Sequence, residues 1–469
     1  MKHTCRDLAA VFRLHLRTFF PSAFRCPLLS LVLLAVLTGC AARMQPGEIR
    51  DLRELPQDLT AYLDPATART PLLEPGQQLD RARDYLQALF RPWEQTAPGN
   101  SGADFQAYLD RIGKRAVYGE NTLPRPATWA ADLNRNADFA AYPNLNVRAV
   151  AVANSSLRTL PTADAEYNAF GLPGEGFPFD MAQNSAVWAG TPLFAAHLSQ
   201  DRDWVLVETR YASGWMPVQD LAFVDQQFAD TYASGPFLAV VRDRVPLADE
   251  SGLFRFRARV GALLRADNAE GQEPGNSALV PVRRTDGFAE LVRVALPQDS
   301  AAGFPLPLTP WNVAAVGNQL LGELYGWGGL FMNRDCSASL MDLFAPFGVA
   351  LPRNSKAQAQ AWNFLSLEGL NRQAKEAALL NQGVPFATLV AKRGHIMLYV
   401  GTRNGRAAIL HNLWGLRTTS DKGPTPGRIV VGRAVITTLT PGEERNDLDK
   451  PKGLLLETVT GISVLPDVR

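Results

Sequence analysis

The sequence predicts a multidomain chain with three textures: a helical N-terminal segment, two small all-β barrels, and a C-terminal α+β domain. Three observations predict it. Apolar residues recur at helical spacing around residue 80, alternate with period two between turn residues from about 146 to 294, and return to helical spacing ahead of a run of strands after 304. A chain of 469 residues is too long for one small core, and 46% apolar with 20% charged residues is ordinary globular composition. A net charge of +1 gives no electrostatic reason to expect a nucleic-acid partner.

The first element is a processing signal. Lys2, Arg6, Arg13, Arg17 and Arg25 stand against one acid, Asp7, and the apolar run LLSLVLLAVLTGC follows from Leu28 to Cys40. That run is too short to span a bilayer comfortably. Its end, Leu37-Thr38-Gly39-Cys40, resembles the lipobox of bacterial lipoproteins. The resemblance implies a signal peptide over 1–39, a lipid attached at Cys40, and anchoring to a membrane on the periplasmic side. Ala41 and Ala42 replace the Asp that retains many lipoproteins in the inner membrane, so the outer membrane is the expected destination. Cys5 and Cys26 would leave with the signal, so Cys336 remains as the free thiol. His3 and His15 leave too, and His197, His395 and His411 remain. One unpaired cysteine in an oxidising compartment cannot form an internal disulfide.

The second element, over 40–125, is a helical stabilising segment. Leu79, Ala82, Leu86, Leu89 and Phe90 share one face of a helix that is predicted to stop at Arg91-Pro92, and TAPGNSG marks a loop. Next come two barrels, over 126–228 and 229–303. In the first, SSLRTLPT, GTPLFAAHLSQ, DRDWVLVETR and YASGWMPVQDLAFV alternate apolar and polar residues. In the second the strands are FLAVVRDRVPLADESG, RARVGALLR and AELVRVAL. Both look like bacterial SH3-type (SH3b) modules, the first through SLRTLPT and the Trp204 strand followed by Gly214-Trp215-Met216-Pro217. His197 reads as a structural or exposed residue of the first barrel.

The last element, 304–469, opens with Thr309-Pro310, a cap followed by proline in the first turn. Leu340, Leu343, Phe344 and Phe347 then form a helical stripe. Cys336 lies four residues before Leu340 and extends that stripe at the N-terminal end of its helix. A helix N-terminus favours a thiolate, so the position predicts a lowered cysteine pKa. Downstream, RGHIMLYVG and GRAAILHNLWG read as two strands carrying His395 and His411 around the turn TRNGR. With a two-residue turn at Asn404-Gly405 the histidines fall on opposite faces. With a three-residue loop, Arg403-Asn404-Gly405, His411 pairs opposite Met397 and shares the face of His395. A catalytic array requires the second arrangement, or a bulge.

Tyr325-Gly326-Trp327-Gly328-Gly329, then Asp335-Cys336-Ser337 opening a helix, then Arg393-Gly394-His395 on a strand and a further His411, together resemble the NlpC/P60 family of papain-like cell-wall peptidases. The resemblance covers about 150 C-terminal residues and implies a papain-like α+β domain without metal or cofactor. It implies Cys336 as nucleophile, His395 as general base and later acid, and His411 as the residue that orients His395. Tyr325 would donate to the oxyanion, and Asp335 and Ser337 would line a D-glutamyl subsite. Leu351-Pro352-Arg353-Asn354-Ser355 resembles the loop that contacts the substrate amine and backbone through Asn354 and Ser355, although Asn354 stands where an Asp is expected. Asp180 and Tyr211 of the first barrel are further candidates for binding the substrate. The implied reaction is hydrolysis of the γ-D-glutamyl–diamino acid bond in peptidoglycan stem peptides, with the barrels walling the groove so that a free N-terminal L-alanine fits. A non-catalytic peptidoglycan-binding lipoprotein is the alternative. A zinc hydrolase using Cys336, His395 and His411 has less support, because closely spaced ligand pairs and an HExxH motif are absent.

Overall fold

The computed structural model describes residues 49–171, 175–267, 277–419 and 427–468. All belong to one compact unit, Glu48–Arg469. The signal segment and Cys40 lie outside the described residues. Among the described residues no helix is long and apolar enough to cross a membrane.

Helix α1 (Pro75–Glu94) starts at a capping box between Glu74 and Gln77, with Pro75 in the first turn. It does not stop at Arg91-Pro92 but continues to Glu94. Pro92 sits in the last turn, and the tertiary structure secures the turn. The Trp93 indole donates to the Ala149 carbonyl (2.8 Å), and Arg148 Nε donates to the Trp93 carbonyl (2.6 Å). The inward face is Gln78, Ala82, Tyr85 and Trp93, whereas Leu79, assigned to the core stripe from sequence, is 54% exposed. Helices α2 (Gly102–Ile112) and α3 (Trp129–Ala137) complete the helical region, so helix continues past residue 125.

The first barrel is a seven-stranded antiparallel sheet with strand order β3-β2-β6-β5-β4-β1-β7. Its strands are β1 (Val147–Ala151), β2 (Ser155–Arg158), β3 (Gln183–Val187), β4 (Pro192–Leu198), β5 (Trp204–Glu208), β6 (Ser213–Pro217) and β7 (Leu221–Phe223). Leu157, Leu193, Val205, Val207 and Met216 fill it. His197 is buried, with Nε2 2.9 Å from the Ala137 carbonyl oxygen, a structural position. Helix α4 (Gln226–Ala233) leads to the second barrel. There β8 (Phe237–Val240), β11 (Leu263–Ala266), β12 (Ser277–Arg283), β13 (Ala289–Ala295) and β14 (Ala301–Gly303) form the order β13-β12-β11-β8-β14, beside the hairpin β9 (Val245–Ala248) and β10 (Phe254–Ala258).

In the C-terminal domain, α5 (Pro310–Asn318) and α6 (Cys336–Phe344) lie against a six-stranded antiparallel sheet of order β15-β20-β16-β17-β18-β19. The strands are β15 (Asn363–Ser366), β16 (Thr388–Lys392), β17 (His395–Arg403), β18 (Arg406–Thr418), β19 (Gly427–Thr438) and β20 (Val459–Val464), with α7 (Ser355–Ala359) and α8 (Arg372–Gln382) between. The predicted stripe Leu340, Leu343, Phe344 and Phe347 is at most 1% exposed. Each such side chain contributes about 1.5–3 kcal/mol over an exposed one.

The N-terminal arm crosses this domain. Leu59, Tyr62, Leu72 and Leu73 join the core of α5, α6 and the sheet. The Gln57 side chain both accepts from the Ile436 N–H and donates to its carbonyl, each at 2.9 Å, like a partner strand for β19. Asp51 Oδ2 accepts from the backbone and hydroxyl of Thr438 at 2.7 and 2.8 Å.

Candidate active site

Cys336 is the first residue of α6 because Asp335 caps the helix, its side chain accepting from the Ala338 N–H at 2.8 Å. The thiol is 7% exposed and is a free cysteine. Burial pushes its pKa up to about 12, with the neighbouring Asp335 carboxylate adding to the rise. The lowered pKa read from the helix terminus is therefore corrected. Desolvation and an adjacent negative charge outweigh the backbone N–H groups of Ile396 and Ser337 and the guanidinium of Arg353.

His395 is the first residue of β17, after a tight turn in which Gly394 takes φ +75°. The β17–β18 connection is not the three-residue loop. Arg403 pairs with Arg406, so Asn404 and Gly405 form a two-residue turn, both with positive φ. A bulge between Tyr399 and Gly401 then shifts the register, so that Leu398 faces Leu410. One step further His411 comes opposite Met397, on the face of His395. His395 Nε2 lies 2.9 Å from His411 Nδ1.

The hydrogen-bond chain fixes which nitrogen is basic. Burial holds His395 well below the ordinary histidine range and lowers His411 to about 3, so both rings are neutral near pH 7. Thr437 gives its one hydroxyl proton to the Thr438 carbonyl at 2.7 Å, so its oxygen accepts from His411 Nε2 at 3.1 Å. His411 Nδ1 then carries the lone pair that accepts from His395 Nε2–H. The lone pair of His395 is left on Nδ1, the nitrogen free to take a proton. Among the described residues no hydrogen bond links Cys336 Sγ to His395.

Tyr325 is placed by edge pairing. Its N–H donates to Gly432 at 2.9 Å, and Leu324 bridges Arg433 of β19. Its hydroxyl has no hydrogen-bond partner among the described residues. Burial, followed by the charges of Cys336 and Asp335, raises its pKa, which keeps it a proton donor. Phe179 of the first barrel meets Trp327 and Trp414 edge-on, at 5.3 and 5.7 Å between ring centroids.

Several residues assigned to substrate contact also hold the scaffold. The Asp335 carboxylate accepts from Gly328 N–H (3.1 Å), Ala338 N–H, Ser337 Oγ (3.0 Å) and Arg353 Nη2 (2.8 Å). Burial opposes ionisation, but Arg353 and these donors hold the carboxyl below its usual range. The Ser337 hydroxyl also accepts from Arg353 at 3.1 Å. Asn354 caps α7, accepting from the Ala357 N–H at 2.9 Å, and Ser355 is the first residue of that helix. Asp180 is 1% exposed. It pairs with Arg158 at 3.0 Å and accepts from the Glu166 and Ala182 N–H groups. Tyr211 donates to the Ala186 carbonyl at 3.0 Å.

Other residues escaped the sequence reading. Thr437 orients His411. Asn412 lies on the opposite face of β18 from His411 and donates to the Arg334 carbonyl at 2.7 Å, tying the cysteine loop to the sheet. Arg353 also donates to Ser185 Oγ of the first barrel at 2.8 Å. Arg334, fully buried, binds Glu323 (2.8 Å), Asp342 (2.6 Å) and Asp243 of the second barrel (3.0 Å). Among the described residues no group of three or more His, Cys, Asp or Glu could hold a metal ion.

A thiol opening a buried helix and a strand-borne imidazole oriented by a second imidazole define the class of cysteine hydrolases with a Cys–His pair. The family comparisons agree along the chain. Residues 29–142 match the N-terminal NlpC/P60 stabilising domain, 166–217 an SH3 domain of SH3b1 type, 225–264 an SH3 domain of SH3b2 type, and 322–422 the NlpC/P60 family. The C-terminal domain is therefore similar to the NlpC/P60 family over residues 322–422. Among solved structures, an NlpC/P60 endopeptidase from Photobacterium damselae subsp. piscicida is 26% identical, with a TM-score of 0.80, over 88% of this chain and 98% of that one. An NlpC/P60 family protein from Bacillus cereus is 18% identical with a TM-score of 0.43, over 68% of this chain and 100% of its own. No curated protein matches.

Proposed function

We propose that the chain is an exported cysteine peptidase that hydrolyses the bond between γ-D-glutamate and a diamino acid in peptidoglycan stem peptides. The observation that carries the reading is the relay Thr437–His411–His395, which leaves a basic Nδ1 on the histidine that the family pattern pairs with Cys336. His395 Nδ1 takes the thiol proton as Sγ attacks the carbonyl carbon, so the neutral resting pair becomes charged only as the transition state forms. The oxyanion accepts from the Cys336 N–H and the Tyr325 hydroxyl. Collapse breaks the C–N bond, His395 protonates the departing amine, and a thioester remains on Cys336. Water, deprotonated by His395, releases the acid and restores the thiol. Asn354, Ser355 and Tyr211 remain the candidates for the chain end of the substrate.

The first barrel supports restriction to short peptides with a free L-alanine. Its Phe179 stands against Tyr325 and Trp327, and its Ser185 holds Arg353. The test incubates protein lacking residues 1–40, alongside Cys336→Ala, with L-Ala-γ-D-Glu-meso-diaminopimelate and with the same peptide joined to muramic acid. Cleavage of the free peptide alone, lost in the variant, is the expected result. Cleavage of both removes the gate, and cleavage of neither favours a binding lipoprotein. Lipidation at Cys40 and outer-membrane residence belong to the same reading, and sucrose-gradient fractionation with the inner membrane would refute the latter.

A further inference from the structure

The charges around the thiol do not cancel. Asp335 and Arg353 neutralise each other at 2.8 Å. The side chain of Lys392, the last residue of β16, has no hydrogen bond or ion pair among the described residues. The β16–β17 register sets Lys392 directly across from His395, so the two side chains leave the sheet on one face. His411 is on that face as well, through its bond to His395. At Lys392 the pairing of β16 with β20 slips by one residue past Thr460, a bulge of the kind that collects beside functional sites.

The position is costly to the free protein. Lys392 is partly buried, and burial first, then the Arg428 charge, pulls its ammonium below the ordinary lysine range despite the attraction of Cys336. Its charge in turn disfavours protonation of both histidines. An unpaired cation beside the imidazole that must become protonated opposes the chemistry unless an anion arrives with the substrate.

We propose that Lys392 binds a carboxylate of the substrate next to the scissile amide, an assignment that rests on the γ-D-glutamyl reading. Such a peptide offers two carboxylates there: the α-carboxylate of the D-glutamyl residue, and that of the departing diamino acid. Either neutralises Lys392 and so permits His395 to take the thiol proton.

The test compares full chain, Lys392→Met and Lys392→Arg on L-Ala-γ-D-Glu-diaminopimelate and on two analogues, each with one of those carboxylates converted to an amide. Lys392→Met is expected to lose roughly tenfold or more in kcat/KM on the parent peptide, the scale of a charge-assisted hydrogen bond, with Arg restoring most of it. On the analogue lacking the partner carboxylate the variant loses nothing further, which identifies the source. No loss on the parent, or equal loss on all three peptides, overturns the proposal. A second readout is independent of peptidase activity. Cys336 is alkylated with iodoacetate and with iodoacetamide, and its peptide is quantified by mass spectrometry. The anionic-to-neutral rate ratio should fall about threefold or more in Lys392→Met, as a nearby cation is removed. An unchanged ratio overturns the anion site. A changed ratio in a protein that cleaves no γ-glutamyl peptide sinks the peptidase reading and leaves the anion site standing.

Discussion

The two barrels reach the cysteine loop by different physics. The first lies against it backbone to backbone. A methyl group added at Gly328 would sit 2.3 Å from the Gln183 carbonyl oxygen, and one at Gly329 would sit 2.3 Å from the Ala186 nitrogen. The loop takes left-handed conformations there and at Phe331 and Met332 to fit. The second barrel reaches the same loop through buried charge. Asp243 and Arg259 join Arg334, Glu323 and Asp342, with the Trp188 indole closing on Asp342 at 2.9 Å. One contact depends on the absence of a side chain, the other on the presence of five.

That contrast can be broken from either side. The largest effect is expected from Arg334→Met, which strands buried carboxylates and should cost about 3–5 kcal/mol in urea unfolding. Adding Asp243→Asn should recover part of the loss, and full additivity of the two changes would argue against a coupled cluster. Gly329→Ala comes next, at about 1–3 kcal/mol. Gly252 has a similar φ, +82°, with nothing within 4 Å of an added Cβ, so Gly252→Ala is the control. If both lose the same stability and keep the same activity, the tight fit to the first barrel has no role.

A change of pH separates the regions without mutation. Burial and neighbouring positive charge hold His395 and His411 below the pKa of about 6.5 they have when unfolded, so their contribution is complete above that pH and is lost as pH falls through it. Stability should drop by up to about 1.4 kcal/mol per pH unit for each histidine. Burial lowers His197 as well, so His411→Asn should reduce the slope without removing it. Asp243 is held below the usual carboxylate range against its burial by Arg334 and Arg259, so its own pairs with these two arginines should survive through pH 5. The smallest effect belongs to Phe179→Ala, about 0.5–1.5 kcal/mol by melting temperature, with a rise in KM for the free peptide if the aromatic wall contacts substrate.

Elements whose signals are local could be read from the sequence. The α6 stripe, the Thr309 cap and the strands bearing His395 and His411 needed only periodicity and turn residues. What failed depended on distant partners. Pro92 looked like a helix end because nothing local reveals the Trp93–Ala149 bond. The bulge at Tyr399/Gly401 decides the face of His411 and leaves no mark on the alternation itself. Arg334 and Thr437 gain their roles from residues far off in sequence, which spacing rules do not reach.

The N-terminal arm has a consequence for the order in which the molecule becomes whole. Asp51 and Gln57 close on residues 436–438, separations of 387 and 379 positions. Loops of that length close late, after local contacts have formed. The arm therefore waits, unclasped, until almost the whole chain has left the ribosome. Until then the β19 edge that carries Tyr325 and backs the histidine relay lacks its cover. A truncated or stalled chain lacking its last fifty residues would keep Cys336 and both histidines yet lose the docked arm, so completion of synthesis itself acts as the checkpoint before a wall-cutting enzyme is assembled.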